Sequence, residues 1–437
     1  MSITRASLLT CFVCLAACGG DGSSDVPTRV EPVSRSEDPR ALALREAIED
    51  ADLERAGVLI EQVESRLGVE GPCLRARLSA LEGDVLEAMR ALESARNRWP
   101  GDPRPAATAV EVYAQLGRLE AAADEYNRAV SIFGRGPELM RAQGVLAIVT
   151  PGAAESGLGM LEEAMRADPG LPFLAAPLAT ARWLTARQVL ARGEVDRAEE
   201  LARGALELRP GDPDARITLA DSLKGRGDFE GAIPWLEGLV AEGVAVEDEL
   251  AQLHHAAATK AMLAGDREAQ LAHYLAARAN GFTDQQLGHG ALALSAEAER
   301  LVGEGLEHER AAEDLSADAS QFEAWRAALE DAEESYRAAL VYDVGAVEAN
   351  HRLGTVLFKT ERYREAALAW EAAAARARVD SGGEPLPVPL ELNAALAWER
   401  AERPDLARQS ALDYLSREPE GSFAERALIQ LERLEQD

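Results

Sequence analysis

Few residues in this chain are equipped for chemistry. Six histidines stand at His254, His255, His273, His289, His308 and His351. A metal site on helices needs two ligands three or four residues apart on one face, with an acidic partner. His254 and His255 are adjacent, so on a helix they point about 100° apart, and packing or surface positions suit them better. The four cysteines are Cys11, Cys14, Cys18 and Cys73. No second pair completes a zinc spacing, and nothing near Cys73 marks an activating base. The run Gly288-His289-Gly290-Ala291-Leu292-Ala293 copies part of a dinucleotide fingerprint. It lacks the preceding strand that would aim backbone amides at phosphate. There is no phosphate loop, His-Glu-x-x-His, Gly-x-Ser-x-Gly or EF-hand loop. Catalysis is not expected, and the sequence implies no cofactor and no metal.

One cysteine reads as an address. Arg5 precedes an apolar run from Ala6 to Ala17, broken only by Ser7 and Thr10, and the run ends Leu15-Ala16-Ala17-Cys18. The run is too short to span a bilayer and fits a signal-peptide core. The whole resembles the lipobox of bacterial lipoproteins, which implies cleavage before Cys18 and lipidation of its thiol. The alternative is an ordinary secretory signal with an incidental cysteine. Gly19 and Gly20 replace the Asp that, in such lipoproteins, favours the inner membrane; the resemblance therefore implies the outer membrane, facing the periplasm. Residues 19–37 are rich in Gly, Ser, Pro and Asp and lack apolar periodicity, as a flexible tether would. Extended, it reaches about 60 Å.

The bulk numbers narrow the partner. A formal charge of −30 repels phosphate backbones, so nucleic acid is not an expected partner. No polybasic patch offers itself to anionic lipids. Apolar residues make up 47% and aromatics 5%, with Ala and Leu prominent. That mix favours closely packed helices.

A single spacing then recurs. Gly83 and Gly117, Ala88 and Ala122, and Ala95 and Ala129 are each 34 apart, as are Gly193 and Gly227, Ala198 and Ala232, Ala332 and Ala366, and Ala339 and Ala373. The stretch 103–136 carries Tyr113, Leu116-Gly117, Leu119, Ala122, Tyr126 and Ala129. The stretch 213–246 carries Leu219-Ala220, Gly227, Phe229, Ala232 and Leu236, and 347–380 carries Leu353-Gly354, Leu357, Tyr363, Ala366, Trp370 and Ala373. Small residues at these positions let two helices cross closely while large neighbours fill the grooves. Pro100, Pro169, Pro210 and Pro419 fall at unit ends, where proline stops a helix. The pattern resembles the tetratricopeptide repeat, a 34-residue helix–turn–helix unit. The resemblance implies an all-α fold, a right-handed α-solenoid of tetratricopeptide-like hairpins over 38–437. Residues 422–437, with Phe423, Leu428, Leu431 and Leu434, are expected to form a capping helix with a polar outer face.

Two stretches break the pattern. Residues 284–346 are too long for one unit and carry an acidic run over 304–334; residues 380–389 are rich in Gly and Pro. Either suits a binding loop, although an acidic run is more often a solvated helix face. By resemblance, the first helix of each unit lines a concave face. Inward positions there include Arg141, Trp183, Arg187, Lys224, His255, His351, Arg352 and Phe358. Arg and aromatic side chains on such a face suit capture of an extended peptide or a helix; plain superhelix surface is the alternative. The family's carboxylate clamp is not expected, because Thr355 and Thr259 stand where it needs Asn. Two readings follow. One is a lipid-anchored scaffold binding envelope proteins or peptides in an assembly, secretion or export complex, similar to helical-repeat lipoproteins of pilus secretion and alginate export. The other is an accessory ligand- or glycan-binding subunit of an envelope enzyme.

Overall fold

The computed structural model describes residues 38–315, 319–381 and 388–435. The signal segment, Cys18, the tether and most of the Gly/Pro-rich stretch at 380–389 lie outside the described residues. The chain divides into two compact units, Met1–Thr185 and Ala186–Asp437. In unit 1, α1 (Pro39–Glu49) pairs with α2 (Leu53–Val63), α3 (Glu70–Leu81) with α4 (Val85–Arg98), α5 (Arg104–Gln115) with α6 (Leu119–Phe133), and α7 (Pro137–Val149) with α8 (Ala154–Ala167). The division falls inside α9 (Ala175–Ala191). Unit 2 continues with α10 (Val195–Leu208). Then follow α11 (Pro213–Gly225) and α12 (Phe229–Ala241), α13 (Glu247–Ala264) and α14 (Arg267–Ala279), and the single-turn α15 (Asp284–Leu287). It ends with the pairs α16 (His289–Leu315) and α17 (Phe322–Tyr342), α18 (Val347–Lys359) and α19 (Tyr363–Asp380), α20 (Leu390–Arg400) and α21 (Pro404–Arg417), and a last helix, α22 (Ala424–Leu434). The fold is all-α, built from repeated helical hairpins, and no strand occurs among the described residues. No described helix is long and apolar enough to cross a membrane.

The recurring residues have local causes. Gly83, Gly117, Gly193 and Gly227 hold φ of +84°, +70°, +83° and +79°, the left-handed turn that closes each first helix. Glycine adopts it without steric cost. Asp84 and Asp228 follow directly, and their side chains accept the backbone N–H of Glu87 (3.0 Å) and Gly231 (3.1 Å), capping the second helix. Where glycine is missing, Ala51, Glu361 and Glu402 are held in the same region, at φ of +56°, +63° and +58°. The spaced alanines Ala88, Ala122, Ala198, Ala232 and Ala366 are wholly buried where helices meet. At Gly354 the approach is closer still, since a Cβ there would lie 2.8 Å from Cδ1 of Trp370.

Two expectations change in detail. The long stretch 284–346 is one hairpin with lengthened arms, α16 running 27 residues and α17 running 21, after the α15 turn. The longer arm spans about 40 Å and the shorter about 32 Å. In α22 the buried stripe is Ala424, Ala427, Gln430 and Leu434, whereas Leu428 is 52% exposed and sits beside exposed Ile429. The outer face of the last helix is therefore partly apolar, because Leu428 falls one position off the i, i+3 stripe that packs.

Candidate functional site

Unit 1 places charged residues on the facing first helices α3, α5 and α7. Arg77 of α3 and Glu111 of α5 are 34 residues apart, the same position in successive hairpins, with opposite charge. Arg77 donates to Glu111, and Arg141 of α7 donates to the other oxygen of the same carboxylate at 2.7 Å. Glu111 is 2% exposed and Arg141 5%. Charges that deep survive only when paired and hydrogen-bonded. Burial pushes the Glu111 carboxyl up, but the charges of Arg141 and Arg77 outweigh it and hold the group below its ordinary value. Beside them, Arg45 of α1 pairs with Glu70 of α3 at 2.5 Å, and Arg104 of α5 with Asp102 at 2.6 Å. Cys73 lies among these groups. Burial pushes its thiol up to about 11, with a Thr108 hydrogen bond acting the other way, which favours the protonated thiol.

The groove formed by these helices is filled by the chain itself. After α8, Asp168 caps a turn by accepting the Gly170 N–H at 3.1 Å, and the backbone then passes along the charged helices. Arg141 donates to the Pro172 carbonyl at 2.6 Å. The Phe173 N–H donates to Glu49 of α1 at 2.9 Å, across 124 residues of sequence. The Arg77 guanidinium lies 4.3 Å from the centre of the Phe173 ring, a cation–π contact. Phe173 also packs against the apolar cluster of α1, α2 and α3, and Leu171 and Leu174 are buried on either side. Burial pushes the Glu49 carboxyl above its ordinary value, against the Phe173 hydrogen bond and the charge of Arg77. Two spaces meet at Arg77 and Phe173. One, of about 40 Å³, reaches Cys73, Thr108 and Glu138; the other, of about 280 Å³, reaches Leu81, Gln115 and Val149.

The residues singled out by sequence do not form one site. Arg141 is built into the interior of unit 1 rather than displayed on its surface, because Glu111 and Pro172 engage its guanidinium. Trp183, also in unit 1, is half-buried. In unit 2, exposed Arg187 and Lys224 both act on Asp221, whose carboxyl burial nevertheless pushes up. Half-buried His255 lies against Tyr274 and Phe282, with ring centres 5.7 Å and 5.8 Å away. His351, Arg352 and Phe358 share α18. Arg352 pairs with Glu348 at 2.7 Å, and Phe358 packs on Tyr363 and Trp370. The backbone carbonyl of His351 accepts the Trp370 N–H at 3.1 Å. His254 and His273 bring their Nδ1 atoms to 3.1 Å, joining α13 to α14. Burial, and then the neighbouring His273, take His254 down to about 4. Among the described residues no group of three or more His, Cys, Asp or Glu is placed to hold a metal.

Comparison with known proteins places a name on part of unit 2. Residues 189–258 match the tetratricopeptide repeat. That stretch contains the turn glycines Gly193 and Gly227 and the crossing alanines Ala198 and Ala232. No curated protein sequence matches the chain. Among solved structures, a tetratricopeptide repeat protein from Parabacteroides merdae aligns at 15% identity and a TM-score of 0.29, over 57% of this chain and 95% of that one. PilW, a type IV pilus biogenesis factor, aligns at 18% and 0.35, over 50% and 96%. The TPR2AB domain of yeast Sti1, in complex with pHSP90, aligns at 15% and 0.25, over 59% and 98%.

Sequence reading missed Glu49, Arg77, Glu111 and Phe173. A signal existed for two of them, since Arg77 and Glu111 keep the 34-residue tetratricopeptide spacing with opposite charge. Phe173 had a weaker mark, because Leu171-Pro172-Phe173-Leu174 is an apolar run in a connection between hairpins, where polar residues are usual.

Proposed function

We propose that the protein is a lipid-anchored scaffold of the cell envelope whose helical hairpins bind segments of partner proteins. The observation that carries this reading is the seat of residues 171–174 in unit 1. There the first helices hold a turn of the chain by its main-chain N–H and C=O and by an aromatic side chain. These contacts recognise peptide as peptide, the mode expected of a protein-binding groove. The anchor rests on Arg5, the apolar run and the Leu15-Ala16-Ala17-Cys18 motif. Gly19 and Gly20 favour the outer membrane, and the partners are then envelope proteins of an assembly, secretion or export complex.

Two measurements test it. Intact-mass analysis of membrane-extracted protein should show a chain beginning at lipidated Cys18, and Cys18→Ala should abolish both cleavage and membrane attachment. A photo-crosslinking residue placed at Gln115, on the groove, should capture a defined envelope protein. The same residue at Leu86, which is exposed on α4, should not. Absence of any captured protein at Gln115, or equal capture at both positions, contradicts the reading.

A further inference from the structure

We infer that Leu171–Leu174 is a built-in ligand that occludes the groove of unit 1, and that the partner is a peptide presenting an aromatic residue in the place of Phe173. This rests on the reading of unit 1 as a protein-binding surface and adds its regulation and the chemistry of its ligand.

Four observations converge. First, the segment is held through groups that any peptide carries. Glu49 accepts a backbone N–H and Arg141 donates to the preceding carbonyl. The two groups belong to one peptide unit, which any foreign segment also offers. Second, the side-chain recognition is generic for an aromatic ring: a guanidinium on its face and the apolar cluster of α1, α2 and α3 around it. Third, Phe173 is held at φ +58°, a region that bulky residues rarely adopt. The loop carries this backbone cost while it is seated, which favours its displacement. Fourth, the segment leaves space. The cavity of about 280 Å³ beyond Phe173 is bordered by Leu81 and Val149, 40% and 41% exposed. Ala176, Pro177 and Thr180 of α9 form its other wall, and the space left between them can take a further apolar side chain of a longer peptide.

The polar groups set the specificity. Arg77 and Arg141 share the Glu111 carboxylate and also feel that of Glu49, so two carboxylates face the two guanidiniums and the groove presents donors in fixed directions rather than a field of free positive charge. It therefore selects a main-chain carbonyl followed by an aromatic residue, and it does not select a phosphate or a terminal carboxylate. The loop competes from within the same chain at high effective concentration. Binding is consequently weak until a partner, or a change in the loop, displaces residues 171–174.

The test uses the full chain and a fluorescent synthetic peptide copying residues 168–176. By anisotropy, Phe173→Ala should bind the peptide at least about tenfold more tightly than the wild type. A peptide with its phenylalanine changed to alanine should show no such gain, and adding Glu49→Ala to the variant should remove it. Equal binding by the wild type and a folded Phe173→Ala overturns the inference. If Phe173→Ala fails to fold, amide exchange of the wild type decides: an excess of peptide should speed exchange at Phe173 and Leu174, and unchanged exchange overturns it. Capture of an envelope protein at Gln115 without peptide exchange keeps the scaffold and removes the built-in ligand; exchange without capture does the reverse.

Discussion

Both units bury paired carboxylates, and unit 2 adds neutral groups that are buried beside them. In unit 1, Glu111 takes two guanidiniums, and its carboxyl is held below its ordinary value. Unit 2 pairs buried Glu297 with Arg267 and Arg300 in the same way, and it also holds neutral groups in its interior. His254 is held uncharged beside His273, and Tyr336 of α17, its hydroxyl pushed up by burial, donates to the buried Glu309 of α16 at 2.8 Å. Lys359 of α18 completes that second carboxylate at 3.3 Å. One repeat architecture thus carries two solutions to the same cost of burying polarity. In unit 1 the ionised solution ties three successive hairpins to one carboxylate and offers fixed donors to a peptide. The neutral one joins neighbouring helices and makes stability depend on pH.

The largest effect should come from breaking the ionised solution. Glu111→Ala leaves Arg77 and Arg141 buried without their counter-charge and should cost about 3–5 kcal/mol in urea unfolding of unit 1. Arg362→Ala, in the surface network with Glu333 and Glu365, should cost less than about 1 kcal/mol. Similar losses from both would erase the distinction.

Acid should separate the units next. His254 has a folded pKa of about 4 against an ordinary 6.5, so the unfolded chain binds the extra proton between these values. Its contribution is complete above about pH 6.5, falls as pH drops, and reaches a loss of about 2 kcal/mol by about pH 5. His351, lowered by burial, acts in the same direction. Glu111 has a depressed pKa, so its contribution persists above the ordinary carboxylate value of 4.5 and is lost only below it. Urea unfolding at about pH 7 and about pH 5 should therefore weaken unit 2 first, and His254→Leu should flatten that response. A pH-independent unit 2 would contradict the neutral-histidine assignment.

Smaller changes sharpen the comparison. Tyr336→Phe removes one donor from buried Glu309, which keeps Lys359, and should cost about 1–2 kcal/mol, well below Glu111→Ala. At the turns the two units should behave alike: Ala51→Gly in unit 1 and Glu361→Gly in unit 2 relieve a left-handed residue and should each raise stability by about 0.5–1 kcal/mol. A loss at either would mean that the side chain contributes more than the turn geometry costs.

The contrast also marks what the sequence reveals. Turn glycines such as Gly227 and crossing alanines such as Ala232 obey local rules repeated in every hairpin, so the spacing alone exposes the all-α hairpin array. The break at 284–346 was visible too, but its cause, two lengthened arms, depends on how α16 and α17 pack. The groove was not legible. Glu49 meets Phe173 across 124 residues, and no period links a helix end to a distant connection. Among the sequence-chosen residues, Arg141 does lie at the groove, yet its role is set by Glu111 and Pro172, which only the fold brings to it. The division within α9 left no mark in composition.

The most direct test of the account is a crystal structure of Phe173→Ala grown with the 168–176 peptide. The account predicts the peptide's aromatic ring over Arg77, its N–H on Glu49 and the preceding carbonyl on Arg141. An empty groove, or a peptide bound elsewhere with residues 171–174 still in place, would contradict it.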